Sequence, residues 1–243
     1  AVAKAGDDLA GIFASPFKHD TFTDQELPDP AYARRARELC DEHEALLIVD
    51  EVRAGFRIAR DSSWSLVGVK PDISSWGKDI ANGHPISAVL GADKAREAAS
   101  KLYVTGSFWF SAAPMAAGVV TMRMIRETNY LEHTIALGDR LRAGLNEMAS
   151  AHGFSLRQSG PSQMPLIMFN DDPGFALGYG WTAALLRRGI YFHPWHNMFL
   201  CAAMTEADID RAINAADEAF AEIKATPPAP PVEKFMAFAA LSA

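Results

Sequence analysis

Two short apolar runs in this 243-residue chain each deliver a charged residue. Leu46-Leu47-Ile48-Val49 runs into Asp50, and Asp72-Ile73-Ser74-Ser75-Trp76 passes through Gly77 into Lys78. Short apolar runs bounded by turn signals read as buried strands of a parallel sheet. Ligands of open α/β sheets bind beyond the carboxyl ends of such strands, so a carboxylate and an amine on one rim suit a site that uses both. Lys78 reads either as a solvated loop lysine, as most lysines are, or as a Schiff-base lysine. The second role needs partial desolvation, so that the neutral amine can attack a carbonyl. Asp50 reads either as an N-cap or loop carboxylate, or as a buried anion that keeps the nitrogen of a cofactor ring protonated. Val52 either packs in the core or supports one face of that ring. Glu51 points to the opposite side of an extended strand from Asp50, so no carboxylate dyad is expected.

The elements that must position these residues follow from pattern. A strand is expected around Leu9 to Ser15, then a helix from Pro28 to Glu44 with Tyr32, Ala36, Leu39, Cys40 and His43 on one face. Strands follow at Leu46 to Asp50, Asp72 to Trp76 and Ile86 to Leu90, with turn chemistry at Gly68 to Pro71 and at Asn82-Gly83-His84-Pro85. This order implies a doubly wound sheet. Long helices are expected over Ala112 to Arg126 and Tyr130 to Ala151. The later part reads as a smaller α+β domain, with a boundary near residues 145 to 153. Its strands are Phe154 to Arg157, Leu166 to Phe169 and Ile190 to His193, and its first helix is Phe175 to Arg188, closed by Gly189. The final helix starts on a capping-box variant, Thr205 with Asp208. Ile209, Ala212, Ile213, Ala216, Phe220 and Ile223 line its apolar face. The tail Val232 to Ala243 is expected to pack on the surface.

The net charge of −7 offers no basic stripe for phosphates, so no nucleic-acid partner is expected. No apolar run approaches the roughly 18 to 20 residues that span a bilayer, and no membrane partner is expected. Cys40 and Cys201 belong to no CxxC pair, so neither a disulfide framework nor a metal site is expected. With no apolar leader-like stretch at the start, the chain reads as cytoplasmic. The opening lacks Met and enters what reads as a mid-domain strand, so an N-terminal truncation is expected.

Leu46 through Arg57, then Pro71-Asp72-Ile73 and Gly77-Lys78, resemble the signature of class III pyridoxal-phosphate aminotransferases. The resemblance is strongest to the branch that includes glutamate-1-semialdehyde aminomutase, and it runs from about Leu9 to about Glu222. It implies the α/β type I pyridoxal-phosphate transferase fold, with a partial large domain, a mostly parallel sheet and a smaller C-terminal α+β domain. The first, 1–148, would be the C-terminal portion of the large cofactor-binding domain with the linking helix, and the second would be 149–243. It also implies pyridoxal 5'-phosphate as cofactor and a homodimer with shared active sites. Lys78 and Asp50 would be catalytic, and Val52 would lie on the ring. Thr105-Gly106-Ser107-Phe108 resembles the stretch whose Thr reaches the partner's cofactor phosphate, with Ser107 retaining the hydroxyl. Taken alone, Ser107 reads equally as a helix N-cap.

The implied reaction is amino transfer between a small-molecule amino donor and an oxo acceptor. The alternatives are a glutamate-1-semialdehyde-type aminomutase and an inactive truncated relative. Phe110-Ser111-Ala112 replaces the family's usual Gly-Asn-Pro, and Ser15-Pro16 replaces its Glu-Pro. No phosphate-cradling Gly-rich loop or ring-stacking aromatic from the family's N-terminal part is found. No Arg lies between Tyr191 and Met204, where many relatives bind a substrate carboxylate. His193 and His196 read as surface or interface residues, or as one residue facing a substrate entrance, and His84 reads as a turn residue.

Overall fold

The computed structural model describes residues 2–108 and 111–229. The expected tail packing of Val232 to Ala243 lies outside them. The chain separates into two compact units: Ala1–Phe17 with Pro28–Leu131, and Lys18–Leu27 with Glu132–Ala243.

In the first unit a single turn of helix, α1 (Val2–Ala5), leads to β1 (Gly11–Ala14), α2 (Pro30–Glu42), β2 (Leu46–Asp50), β3 (Ile73–Trp76) and β4 (Ala88–Gly91). Helices α3 (Asp93–Ser100) and α4 (Ala112–Glu127) follow. Strands β1, β2 and β3 are parallel neighbours, and β4 joins β3 antiparallel. The sheet is therefore mostly parallel, as expected. The strands lie in sequence order, so the order reversal of a doubly wound sheet is absent among the described strands.

Helix α2 begins where Asp29 accepts from the Ala31 amide at 2.8 Å, with Pro30 in the first turn. Its buried face is Ala33, Ala36 and Cys40, which corrects the expected face. Small side chains let the helix approach the sheet closely, and the bulkier Tyr32 is left 55 % exposed. In β2, Leu47 and Val49 are buried while Leu46, Ile48 and Asp50 are half-buried. This is the period-2 alternation that puts Asp50 on the opposite face from Leu47 and Val49. Leu47 and Val49 pack with Ala33, Cys40, Trp64 and Val69 in one core.

The second unit contains most of α5 (Tyr130–His152), the antiparallel pair β5 (Leu156–Ser159) and β6 (Leu166–Phe169), α6 (Ala176–Arg187) and α7 (Glu206–Ala225). Gln25 ties the Lys18–Leu27 segment to it, its amide donating to the Met164 and Ser159 carbonyls at 2.8 and 3.1 Å. Helix α6 stops at Gly189, whose φ of +77° is the left-handed conformation of a helix C-cap. Helix α7 starts on the expected capping box. Thr205 Oγ1 accepts from the Asp208 amide, and Asp208 Oδ2 accepts from the Thr205 amide at 2.9 Å. Ala215 and Ala219 add to its expected buried face, and Ile213 lies half-buried against α5. There a Cβ on Gly144 would meet Ile213 Cδ1 at 2.4 Å, so the Ile213 side chain packs directly over this glycine.

The segment Ile190 to His193 is not a strand. Its backbone donors are committed elsewhere, the Ile190 amide to Leu185 O and the His193 amide to Met198 Sδ. Ile190 still packs in the core, so the apolar signal came from burial and not from sheet pairing.

Candidate active site

Asp50 and Ser75 are register partners on adjacent parallel strands, so the carboxyl ends of β2 and β3 lie side by side. Asp50 Oδ1 accepts from the Val52 amide and from Ser75 Oγ, each at 3.0 Å. Its Oδ2 makes no hydrogen bond among the described residues. Two donors thus orient one oxygen of a half-buried carboxylate and leave the other open to a further donor. Beyond Ser75, the chain passes Gly77 and reaches Lys78. A Cβ at Gly77 would touch Val52 Cγ1 at 3.5 Å, so Val52 lies beside the residue that precedes Lys78. The rim therefore brings Asp50, Val52 and Lys78 to neighbouring strand ends.

Lys78 opens the short 3₁₀ turn Lys78–Ile80 with a φ of +49°. That backbone region is unfavourable for residues with a Cβ and clusters at functional sites. Its side chain is exposed, which corrects the expected partial desolvation. The turn lies beyond the last sheet hydrogen bond, and the residues described leave the amine open. Helix α4 supports this turn from one side. A Cβ on Gly118 would stand 3.5 Å from Ile80 O, and Asn82 Nδ2 donates to Thr121 Oγ1 at 3.0 Å. The run of small residues at the start of α4 permits that approach.

Ser107 is not drawn into the cluster. It lies exposed in the loop before α4, and its hydroxyl makes no hydrogen bond among the described residues. Nor does it cap α4, whose N-cap is Ser111. Phe110, part of the expected loop difference, lies outside the described residues.

Sequence reasoning missed the buried network around Glu51 and the pairing of Arg57 with Asp79. Glu51 turns away from Asp50, as the strand pleat requires, and is 1 % exposed. It accepts from Ser62 Oγ at 2.8 Å, from the Ser63 amide at 2.6 Å and from Ser63 Oγ. Arg57, in the loop after β2, forms an ion pair with Asp79, next to Lys78. Arg57 falls within the signature stretch, but nothing local pairs it with Asp79; only the apposition of two loops does.

Burial pushes the Glu51 carboxyl above its ordinary range, against the pull of the serine donors. A carboxyl raised in the folded state contributes stability that is fully present below its unfolded value near 4.5 and is lost as pH rises through the folded value. The stability of the native chain relative to Glu51→Gln is therefore expected to fall as pH rises above the unfolded value near 4.5, measured by urea unfolding. A pH-independent difference would contradict this.

In the second unit, His193 Nδ1 accepts from the Trp195 and His196 amides at 3.3 and 3.1 Å. Burial, with His196 alongside, holds its pKa below the ordinary histidine value. This histidine organises its own turn. His84 lies exposed in the expected turn, its amide donating to Ala81 O. Among the described residues, no helix is long and apolar enough to cross a membrane.

A model of the aminotransferase class-III family matches residues 4–217. The chain belongs to the class-III aminotransferases. Within that family it is 57 % identical over 221 residues to the aminopentol aminotransferase of Sphingopyxis macrogoltabida, covering 90 % of this chain and 52 % of that protein. It is 34 % identical over 237 residues to the glutamate-1-semialdehyde 2,1-aminomutase of Syntrophobacter fumaroxidans, covering 90 % and 54 %. The solved FumI protein of Sphingopyxis sp. MTA144, in its PLP internal aldimine form, superposes with a TM-score of 0.92 at 52 % identity. That match covers 96 % of this chain and 56 % of that one. The expected type I fold and the family resemblance are thus borne out. This class-III chain spans about half the length of the curated relatives it matches.

Proposed function

We propose that this chain is part of a pyridoxal-phosphate-dependent aminotransferase that binds its cofactor across the β2 and β3 strand ends. The observation that carries this is the side-by-side placement of Asp50, with one oxygen open, and the turn bearing Lys78. When bound, pyridoxal phosphate supplies an electron-withdrawing ring that takes up the electron pair left as a substrate carbon loses its proton. Asp50 Oδ2 would accept from the ring N–H and keep that nitrogen protonated. Val52 lies against the ring and orients it. Lys78 Nζ would hold the cofactor through its carbonyl carbon, with loss of water, and once displaced by a substrate amine would be placed to carry a proton. Ser107 Oγ donates to the phosphate, delivered from the second copy of a homodimer, which is consistent with its exposure here. On this reading, 1–148 belongs to the cofactor-binding domain with its linking helix and 149–243 to the small domain. The protein works in the cytoplasm.

The name of the 57 %-identical relative supports amino transfer from an amino polyol. The lack of Arg between Tyr191 and Met204 fits a donor without a carboxylate. The 34 %-identical aminomutase keeps the aminomutase reading as the alternative. An amine donor given without an acceptor yields an oxo compound from an aminotransferase and an isomer of the donor from an aminomutase.

Incubation with pyridoxal phosphate is expected to colour the protein yellow. Borohydride reduction followed by peptide mapping should then place the pyridoxyl group on Lys78. Equal labelling of exposed lysines such as Lys70 would refute the assignment.

A further inference from the structure

We infer that Arg57 and Asp79 form a positioning pair for Lys78, locking the loop that follows Asp50 to the turn that presents the amine. This rests on the role proposed for Lys78.

A lysine side chain has four rotatable bonds, so the aim of its amine depends on how firmly its backbone is held. Here the backbone sits at a φ of +49°, a conformation that persists only where its surroundings over-determine it. The residue that follows, Asp79, reaches back to the Arg57 guanidinium, and both side chains are mostly buried, at 23 % and 17 % exposure. Arg57 is itself a fixed point. Its Nη1 donates to Arg53 O at 2.7 Å, and its amide donates to Ala54 O at 3.0 Å. The neighbouring Phe56, at a φ of +60°, lies against Trp76 with ring centroids 4.4 Å apart, and its carbonyl accepts from Tyr130 Oη at 2.8 Å. Trp76 is the last residue of β3, so one loop braces the strand end and the turn beyond it. Burial pushes Asp79 up and Arg57 down from their ordinary values, with each opposing that shift in the other. Removing either one takes away the other's ion-pair partner in a mostly buried setting, so the two act together. The pair makes no hydrogen bond to the amine or to the Asp50 carboxylate; it holds the backbone of residue 78, and the Lys78 charge also favours the ionised Asp79.

The test uses the full chain and two readouts. One is hydrogen–deuterium exchange of the amides at 78–82, which needs no cofactor. The other is the ratio of pyridoxyl label on Lys78 to that on Lys70 and Lys101 after reduction, which overall destabilisation does not bias. Asp79→Asn is expected to speed exchange about tenfold and lower the ratio about tenfold. The reversed pair, Arg57→Asp with Asp79→Arg, is expected to restore both. If Asp79→Asn fails to fold, Arg57→Lys keeps the charge, loses the planar fork and gives the same comparison. An unchanged ratio in the variant, while the native chain prefers Lys78, overturns the positioning role and leaves the proposed function standing. Recovery of exchange without recovery of the ratio makes the pair structural only. A native chain with no preference for Lys78 overturns the proposed function, and this role with it.

Discussion

Lys78→Ala is expected to abolish reductive fixation of pyridoxal phosphate and to lower amine transfer by roughly 10³-fold or more. On the role proposed for Lys78, the variant loses both the covalent anchor and the proton carrier. The loss should appear as missing pyridoxyl mass on the intact chain and as missing oxo product. Alanine keeps a Cβ at the same positive φ, so the backbone problem at residue 78 is unchanged and the fold should survive. Lys70→Ala, on an exposed loop, should leave both readouts as they are. Fixation that persists in Lys78→Ala at the native level would move the reactive amine elsewhere and end the proposed chemistry.

The second large effect is on stability. Phe220 is fully buried. It stacks on Trp181 at 5.0 Å between centroids and on Phe154 at 5.7 Å, and meets Phe169 edge-on at 6.1 Å. Three rings from β6, α6 and the segment before β5 converge on this one residue of α7. Phe220→Ala removes the shared partner and leaves a cavity that rigid neighbours fill poorly, at a cost of about 3–5 kcal/mol. Against a total stability of about 5–15 kcal/mol, the thermal midpoint should drop by about 10 °C or more. A change of only a degree or two in the circular-dichroism melt would mean that this core repacks far more freely than its geometry implies.

Most of what reached the rim was readable in the chain, for a physical reason. Apolar strands ending on Asp50 and Lys78 carry a local signal, and so do the Thr205–Asp208 capping box and Gly189. Each is set by neighbours a few residues apart. The readings that failed depended on distant partners. Helical spacing puts Tyr32, Leu39 and His43 on one face with Ala36 and Cys40, whereas the buried face is the small Ala33, Ala36 and Cys40. Ile190 to His193 looked like a strand, but no neighbouring strand takes up its amides. The Arg57–Asp79 pair spans 22 residues of sequence, and the Glu51 network needs the Ser62–Ser63 turn folded over it. No periodicity records such contacts.

The backbone at residue 78 also carries a conflict between longevity and reactivity. Glycine, or even asparagine, would sit in that left-handed turn with less discomfort, and a lineage indifferent to amine chemistry would gain durability by drifting to one of them. Only lysine supplies a primary amine there. If Lys78 has the role proposed for it, the chain forgoes a little robustness at one peptide unit, and a single change that makes the molecule sturdier would erase that role.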